Sequence, residues 1–342
     1  MHIGIVADGG YEKGMGHVVR MKRLADELKQ CGLITFYTNQ ESEPFLHEEH
    51  WNVIVKPELQ QHEFILREIK SKKLDLLLFD ILGAPVELLK KIKAETDAKI
   101  VLFEEKNAKA IQQSDAVING IYGDIRSRVY DQGNTRIYEG PDYLILHPAF
   151  QTARNDYTLK RKCRNIVVAL GGSDPKQLVF KVLAAAGHVP AMKDKNMMFV
   201  MGSASPHQDA VRRQIQKKPQ YTVIGQTNDM AGMLKQADAA IVAGGISLYE
   251  AICIGVPCLV LSQVEHQTAT AKTFAELGAA LDLGLGELVS NETLTYQISR
   301  IISSYPLRLS LHKAGRPLVD GKGIKRVSAI LKDLYDQDIK NM

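Results

Sequence analysis

The chain has 342 residues, 45% hydrophobic and 24% charged, with a formal net charge of +4. That balance suits a globular protein, and the length suffices for two domains of ordinary size. The mild excess of positive charge fits an anionic small ligand, but Lys and Arg form no extended block and aromatics are only 6%, so a nucleic-acid-binding signature is excluded.

A first strand, residues 2–7, runs into Asp8-Gly9-Gly10-Tyr11-Glu12-Lys13-Gly14-Met15-Gly16-His17. Val18, Met21, Leu24, Ala25 and Leu28 then recur at helical spacing, which predicts a helix opening at this turn. Gly14 and Gly16 let the backbone approach a ligand, and the helix start offers N–H groups to an anion. His17 at that mouth is a candidate general base. The turn does not fit the dinucleotide fingerprint: its spacing is Gly-x-Gly, and the next strand, residues 33–38, ends without an acidic residue. Further strands are predicted at 74–80, 99–103 and 117–119, with helices at 63–70 and from Pro85 to 94. The apolar run before Asp80 suits a parallel strand covered on both faces.

The polar stretch 150–164 reads as an interdomain linker. Alternation then resumes, with strands at 165–170, 198–201, 221–224, 239–242, 257–261 and 279–282. Helices are predicted from Gln177, and at 207–216, 229–236, 247–254, 267–277, 291–303 and 324–336. Two βα-alternating halves predict an α/β protein of two Rossmann-like, doubly wound domains facing across a cleft, at 1–152 and 160–342, with the last helix folding back on the first domain. Ligands are expected at the carboxyl ends of the strands, where the glycine turns fall.

In the second half, Ala243-Gly244-Gly245-Ile246-Ser247-Leu248-Tyr249-Glu250 places two glycines between a strand and a helix. Ser247 is the expected N-cap. Glycine amides beside a helix start can hold a diphosphate without metal. Glu250 either accepts from the two hydroxyls of a ribose or completes a capping box with Ser247. Cys31, Cys163, Cys253 and Cys258 lack zinc spacing and read as reduced, mostly buried thiols. With no His-x-x-x-His pair and no acidic cluster, no metal is expected. The apolar runs all fall short of the ~20 residues of a membrane helix. The strand signal at the very start predicts no signal peptide, and hence a cytoplasmic protein.

These second-half motifs, continued by Gly255-Val256-Pro257 and Glu265-His266-Gln267, resemble the donor-nucleotide half of the glycosyltransferase-B fold, in the branch around MurG. The segment Ala7-Asp8-Gly9 through Gly14-Met15-Gly16-His17-Val18-Val19-Arg20 more narrowly resembles the PseG/SpsG family, which joins nucleotide-sugar hydrolases of pseudaminic acid synthesis and spore coat polysaccharide biosynthesis proteins. Leu78-Phe79-Asp80, Gly140-Pro141-Asp142-Tyr143, Gly171-Gly172-Ser173-Asp174-Pro175 and Asp320-Gly321-Lys322-Gly323 with Arg326 fit the same family in the same order. The chain departs from the family pattern at Glu104-Glu105, at Ile246 to Tyr249 and at His266.

The resemblance implies an inverting hydrolase of a UDP-activated acetamido-deoxy sugar, working without cofactor. His17 would activate water, and Asp80 would bind the sugar, help orient water, or merely cap the next helix. Gly14, Gly16, Arg20, Tyr143, Gly172, Ser173, Gly245, Ile246, Ser247, Glu250, His266 and Gln267 would bind substrate. Arg20 has the alternative of pairing with an acidic neighbour, Asp174 that of a turn residue, and Tyr143 that of interdomain packing. His147, His207 and His312 carry no motif and read as surface residues. The alternative function is a MurG-like transfer of the sugar to an acceptor. A nucleotide-sugar binder without activity is a third. The expected partner is thus a UDP-sugar, with no nucleic acid and no membrane-spanning segment.

Overall fold

The computed structural model describes residues 1–10, 15–47, 51–121, 126–202, 205–225 and 227–341, with side chains described as far as residue 336. Gly14 lies outside the described residues. The chain divides into two compact units, Met1–His147 with Gly321–Met342, and Pro148–Asp320.

In the first unit, strands β1 (His2–Ala7), β2 (Leu33–Thr38), β3 (Asn52–Val55), β4 (Leu76–Asp80), β5 (Lys99–Phe103), β6 (Ala116–Asn119), β7 (Arg128–Gln132) and β8 (Thr135–Glu139) form one sheet in the order β3-β2-β1-β4-β5-β6-β8-β7. All neighbours are parallel except the β7–β8 hairpin. Helices α1 (Gly16–Leu28), α2 (Glu43–His47), α3 (Gln61–Lys72), α4 (Val86–Glu95) and α5 (Ala108–Ile111) connect them. The strand order reverses at β1, so β1 and β4 lie side by side with Ala7 opposite Asp80. β4 is buried along its whole length, because helices cover both faces of the parallel core. Val18, Met21, Leu24, Ala25 and Leu28 of α1 pack with Ile3, Ile5 and Leu78 in one core cluster.

In the second unit, helix α6 (Ala149–Asp156) precedes β9 (Asn165–Ala169), α7 (Leu178–Gly187), β10 (Asn196–Val200), α8 (Gln208–Ile215), β11 (Tyr221–Ile224), α9 (Met230–Gln236), β12 (Ala239–Val242), α10 (Ile246–Ile254), β13 (Cys258–Ser262), α11 (Glu265–Glu276) and β14 (Ala280–Leu285). Helices α12 (Asn291–Ser303) and α13 (Tyr305–Gly315) follow. The sheet order is β11-β10-β9-β12-β13-β14, all parallel, with its reversal between β9 and β12.

Helix α14 (Gly323–Asn341) belongs to the first unit, and Ile324, Val327 and Leu331 join the α1 core cluster. The Asp-Gly-Lys-Gly segment has a packing reason. Gly323 lies against the Leu144 backbone where a Cβ would not fit, and Arg326 Nη1 donates to the Asp142 carbonyl at 3.1 Å.

Several expectations need correcting. The boundary expected between 152 and 160 falls at His147–Pro148. The stretch read as a linker opens with α6, whose Phe150 and Ala153 are buried. Arg154 on that helix donates to the carbonyls of Cys253 and Arg316, both at 2.7 Å, so its polar appearance in sequence hides an internal role. Strands β3, β7 and β8 and helices α2, α5 and α13 add to the predicted elements. His312 is half-buried, with its Nδ1 2.6 Å from the Gly255 carbonyl oxygen, so it is not a free surface side chain.

Candidate active site

In the first unit, the chemistry gathers at the carboxyl ends of adjacent strands. α1 begins with Gly16, capped by Met15 without a side-chain hydrogen bond, so His17 stands in the first turn. His17 and Arg20 are three residues apart on one helical face, directed at the end of β4. His17 Nδ1 lies 2.6 Å from Asp80 Oδ1. Arg20 holds the same carboxylate with two donors, Nη2 to Oδ1 at 2.6 Å and Nε to Oδ2 at 2.7 Å. Its third nitrogen, Nη1, donates to Glu104 Oε1 at 3.2 Å. Glu104 follows β5 and also accepts from the backbone N–H groups of Gly120 at 3.0 Å and Ile121 at 3.1 Å, just beyond β6.

Asp80 is completely buried, whereas the His17 side chain keeps 19% exposure. Burial by itself would push the Asp80 carboxyl up. The Arg20 charge and the hydrogen bonds from His17 and Arg20 outweigh it and hold the carboxyl below its usual range. An ionised Asp80 takes the proton on Nδ1 as its donor, which leaves Nε2 with a lone pair. The result is an oriented imidazole with one basic nitrogen, backed by a carboxylate that never meets solvent.

The turn after β1 is braced separately. Gly9 N–H donates to Ser42 Oγ at 2.7 Å, Asn39 Nδ2 to the Gly9 carbonyl at 2.7 Å, and Lys56 Nζ to Asp8 Oδ1 at 2.7 Å. Asn39, Ser42 and Lys56 carry no motif, and only the tertiary fold brings them to this turn.

In the second unit, three loops meet at the carboxyl ends of β9, β12 and β13. The N-cap of α10 is Gly245, not Ser247. The capping-box alternative for Glu250 therefore falls away, since Glu250 sits five residues past the cap and is buried. The first-turn N–H groups of Ile246 and Ser247 have no intrahelical acceptor, as at any helix start. Gln263 N–H donates to Gln267 Oε1 at 2.9 Å, fixing that amide so that its Nε2 donors face Gly245. A Cβ on Gly244 would lie 2.7 Å from the Gln267 carbonyl oxygen and 2.9 Å from Ser262 Oγ. Ser262 is buried and its hydroxyl has no hydrogen-bond partner among the described residues. Sequence reasoning passed over it, although a serine closing an apolar strand was the available signal.

Gly172 and Ser173 are exposed in the loop after β9. That loop is held by Asp174, whose carboxylate accepts from Leu178 N and Val179 N at 3.0 Å and from Gln263 Nε2 at 2.5 Å. Burial pushes the Asp174 carboxyl up despite those bonds. Those bonds brace the turn. His266 is exposed on α11. Tyr143 packs edge-on against Tyr138, ring centroids 5.4 Å apart, and belongs to the α1–α14 core instead of the His17 cluster.

A family model described as glycosyl transferases group 1 matches residues 151–275. Among solved structures, MurG of Acinetobacter baumannii is similar with a TM-score of 0.71 at 14% identity, over 97% of this chain and 99% of its own. The spinosyn rhamnosyltransferase SpnG is similar with a TM-score of 0.68 at 15% identity, over 98% and 100%. The fold is thus of the glycosyltransferase-B type, two parallel-sheet α/β units. Over 339 residues the chain is 86% identical to the spore coat polysaccharide biosynthesis protein SpsG of Bacillus subtilis strain 168, spanning 99% of this chain and 100% of that protein. The chain belongs to the SpsG family. No helix among the described residues is long and apolar enough to cross a membrane.

Proposed function

We propose that the protein is an inverting hydrolase of a UDP-activated acetamido-deoxy sugar, releasing UDP and free sugar for nonulosonic-acid or spore-coat and other surface polysaccharide synthesis; the relative's name supports the spore coat polysaccharide role. The observation that carries the reading is the 2.6 Å contact between His17 Nδ1 and the buried Asp80. Water is the smallest nucleophile such a base can activate. Nε2 would take its proton while the oxygen attacks the anomeric carbon opposite the diphosphate, which predicts inversion by single displacement. Asp80 would stabilise the imidazolium that forms. In the second unit, the Ile246 and Ser247 N–H groups and Gln267 Nε2 would hold the departing diphosphate, stabilising charge that grows in the transition state. Glu250 would accept from the ribose hydroxyls.

One finding favours a second reading: the matching family model is one of glycosyl transferases, and the similar SpnG is a rhamnosyltransferase. The same base would then take the proton of an acceptor hydroxyl. His17→Asn tests the role common to both. Turnover should fall while UDP affinity, measured by calorimetry, stays; equal loss of both would remove His17 as the base.

A further inference from the structure

We propose that Arg20 and Glu104 are positioning residues, acting on His17 chiefly through Asp80, with Arg20 Nη2 also 3.4 Å from His17 Nδ1, and setting both its direction and the charge behind it. The inference rests on the proposed role of His17 and deepens it.

Arg20 was expected on the ligand or on an acidic neighbour, and its Nε, Nη1 and Nη2 all donate to carboxylates of its own unit. Two of these bonds meet the two Asp80 oxygens in the fork geometry that only a guanidinium supplies. They fix the carboxylate plane, and so the direction in which Oδ1 receives His17. An exposed ion pair would contribute little. Here the Arg20 side chain is 11% exposed and that of Glu104 8%.

Glu104 has a positive φ of 53°, a backbone state unfavourable for a residue with a Cβ. Its surroundings impose that state: its own N–H donates to the Ile118 carbonyl at 3.0 Å, and its carboxylate takes the Gly120 and Ile121 N–H groups. The adjacent Glu105 does different work, accepting from Ala84 N at 2.9 Å and from Lys106 N and Asn107 N at 2.8 Å. Of this acidic pair, Glu104 alone is recorded bonding to Arg20.

Charge gives Glu104 its purpose. Arg20 on Asp80 cancels the negative charge that should favour an imidazolium. Glu104 restores it. With neutral His17 the four side chains sum to minus one, and proton uptake brings them to zero. Without the Glu104 charge the same step would run from zero to plus one, in a site where charge is poorly screened.

The test is Glu104→Gln. The amide oxygen still accepts from Gly120 and Ile121, so the loop is retained while the charge is lost. Turnover (kcat) should fall about 10–100-fold, with KM and UDP affinity unchanged. In proton NMR the far-downfield Nδ1–H resonance, assigned by its loss in His17→Asn, should move in Glu104→Gln. Arg20→Lys, which cannot bond both Asp80 oxygens and Glu104 together, should act in the same direction and serves if Glu104→Gln fails to fold. Unchanged kcat and an unmoved resonance would overturn the proposal. So would a loss confined to KM or UDP affinity, which would put these residues on the substrate. If wild-type protein turns over no UDP-sugar but the resonance moves in Glu104→Gln, the positioning role stands and the hydrolase reading falls.

Discussion

Replacing Asp80 by asparagine exchanges one carboxylate oxygen for an NH2 group in a site where both oxygens hold hydrogen bonds. Oδ1 receives His17 Nδ1 and Arg20 Nη2, both at 2.6 Å, and Oδ2 receives Arg20 Nε at 2.7 Å. Asparagine keeps a single oxygen. If that oxygen stays toward His17, its NH2 group faces the Arg20 Nε–H, donor against donor. If it turns toward Nε, its NH2 faces His17, whose proton must then sit on Nε2, and the basic nitrogen is lost. Removing one partner of a buried ion pair costs about 3–5 kcal/mol. Glu104 retains part of the Arg20 pairing, so the lower end applies. A folded carboxyl held below its unfolded value stabilises the protein above the unfolded pKa, about 4, and that contribution is lost as pH falls through the folded value. Urea unfolding should therefore show Asp80→Asn about 3 kcal/mol less stable at pH 7, the gap closing below about pH 4. Turnover should fall on the order of 10⁴-fold, the size seen when a triad carboxylate becomes an amide. A variant as stable as wild type at pH 7, or a gap that ignores acidification, would refute the electrostatic reasoning.

Four further outcomes follow from the second unit. Gly244→Ala should lower stability by about 1–3 kcal/mol in urea melts, because its Cβ meets the Gln267 carbonyl oxygen at 2.7 Å. Gly245→Ala, whose nearest neighbour is Gln267 Nε2 at 3.3 Å, should fold normally and lose UDP affinity by calorimetry; unchanged binding would remove the α10 mouth from the site. Glu250→Ala should weaken UDP binding about 10–100-fold, and an unchanged dissociation constant would leave that carboxylate a structural role only. Gly255→Ala should destabilise by about 1–3 kcal/mol, since φ is +94° and the new Cβ would sit 2.8 Å from His312 Nδ1, while UDP affinity stays.

The parallel core was legible because its buried strands are short apolar runs, several of them ending in glycine or aspartate, as at Asp80 and Gly244-Gly245. The β7–β8 hairpin was not: β7 is largely exposed at the sheet edge and carries no apolar run. Helix α6 was hidden because its Arg154 satisfies internal carbonyls that sequence cannot pair with it. His17 was legible from the turn that carries it. The partners of Arg20 were not, since Asp80 and Glu104 lie 60 and 84 residues away and only strand order and register bring them together. Ser247 looked like a cap, but Gly245 already closes the turn, leaving the Ser247 N–H in the open first turn.

The central claim is hydrolysis at the anomeric carbon, and its most direct measurement is incubation of the protein with UDP-linked acetamido-deoxy sugars in ¹⁸O-labelled water, with no acceptor present. The account predicts UDP release, label in the sugar hydroxyl at C1, and the inverted anomer as the first product seen by NMR. Label in the UDP phosphate, or UDP binding with no release from any sugar until an acceptor is added, would contradict it.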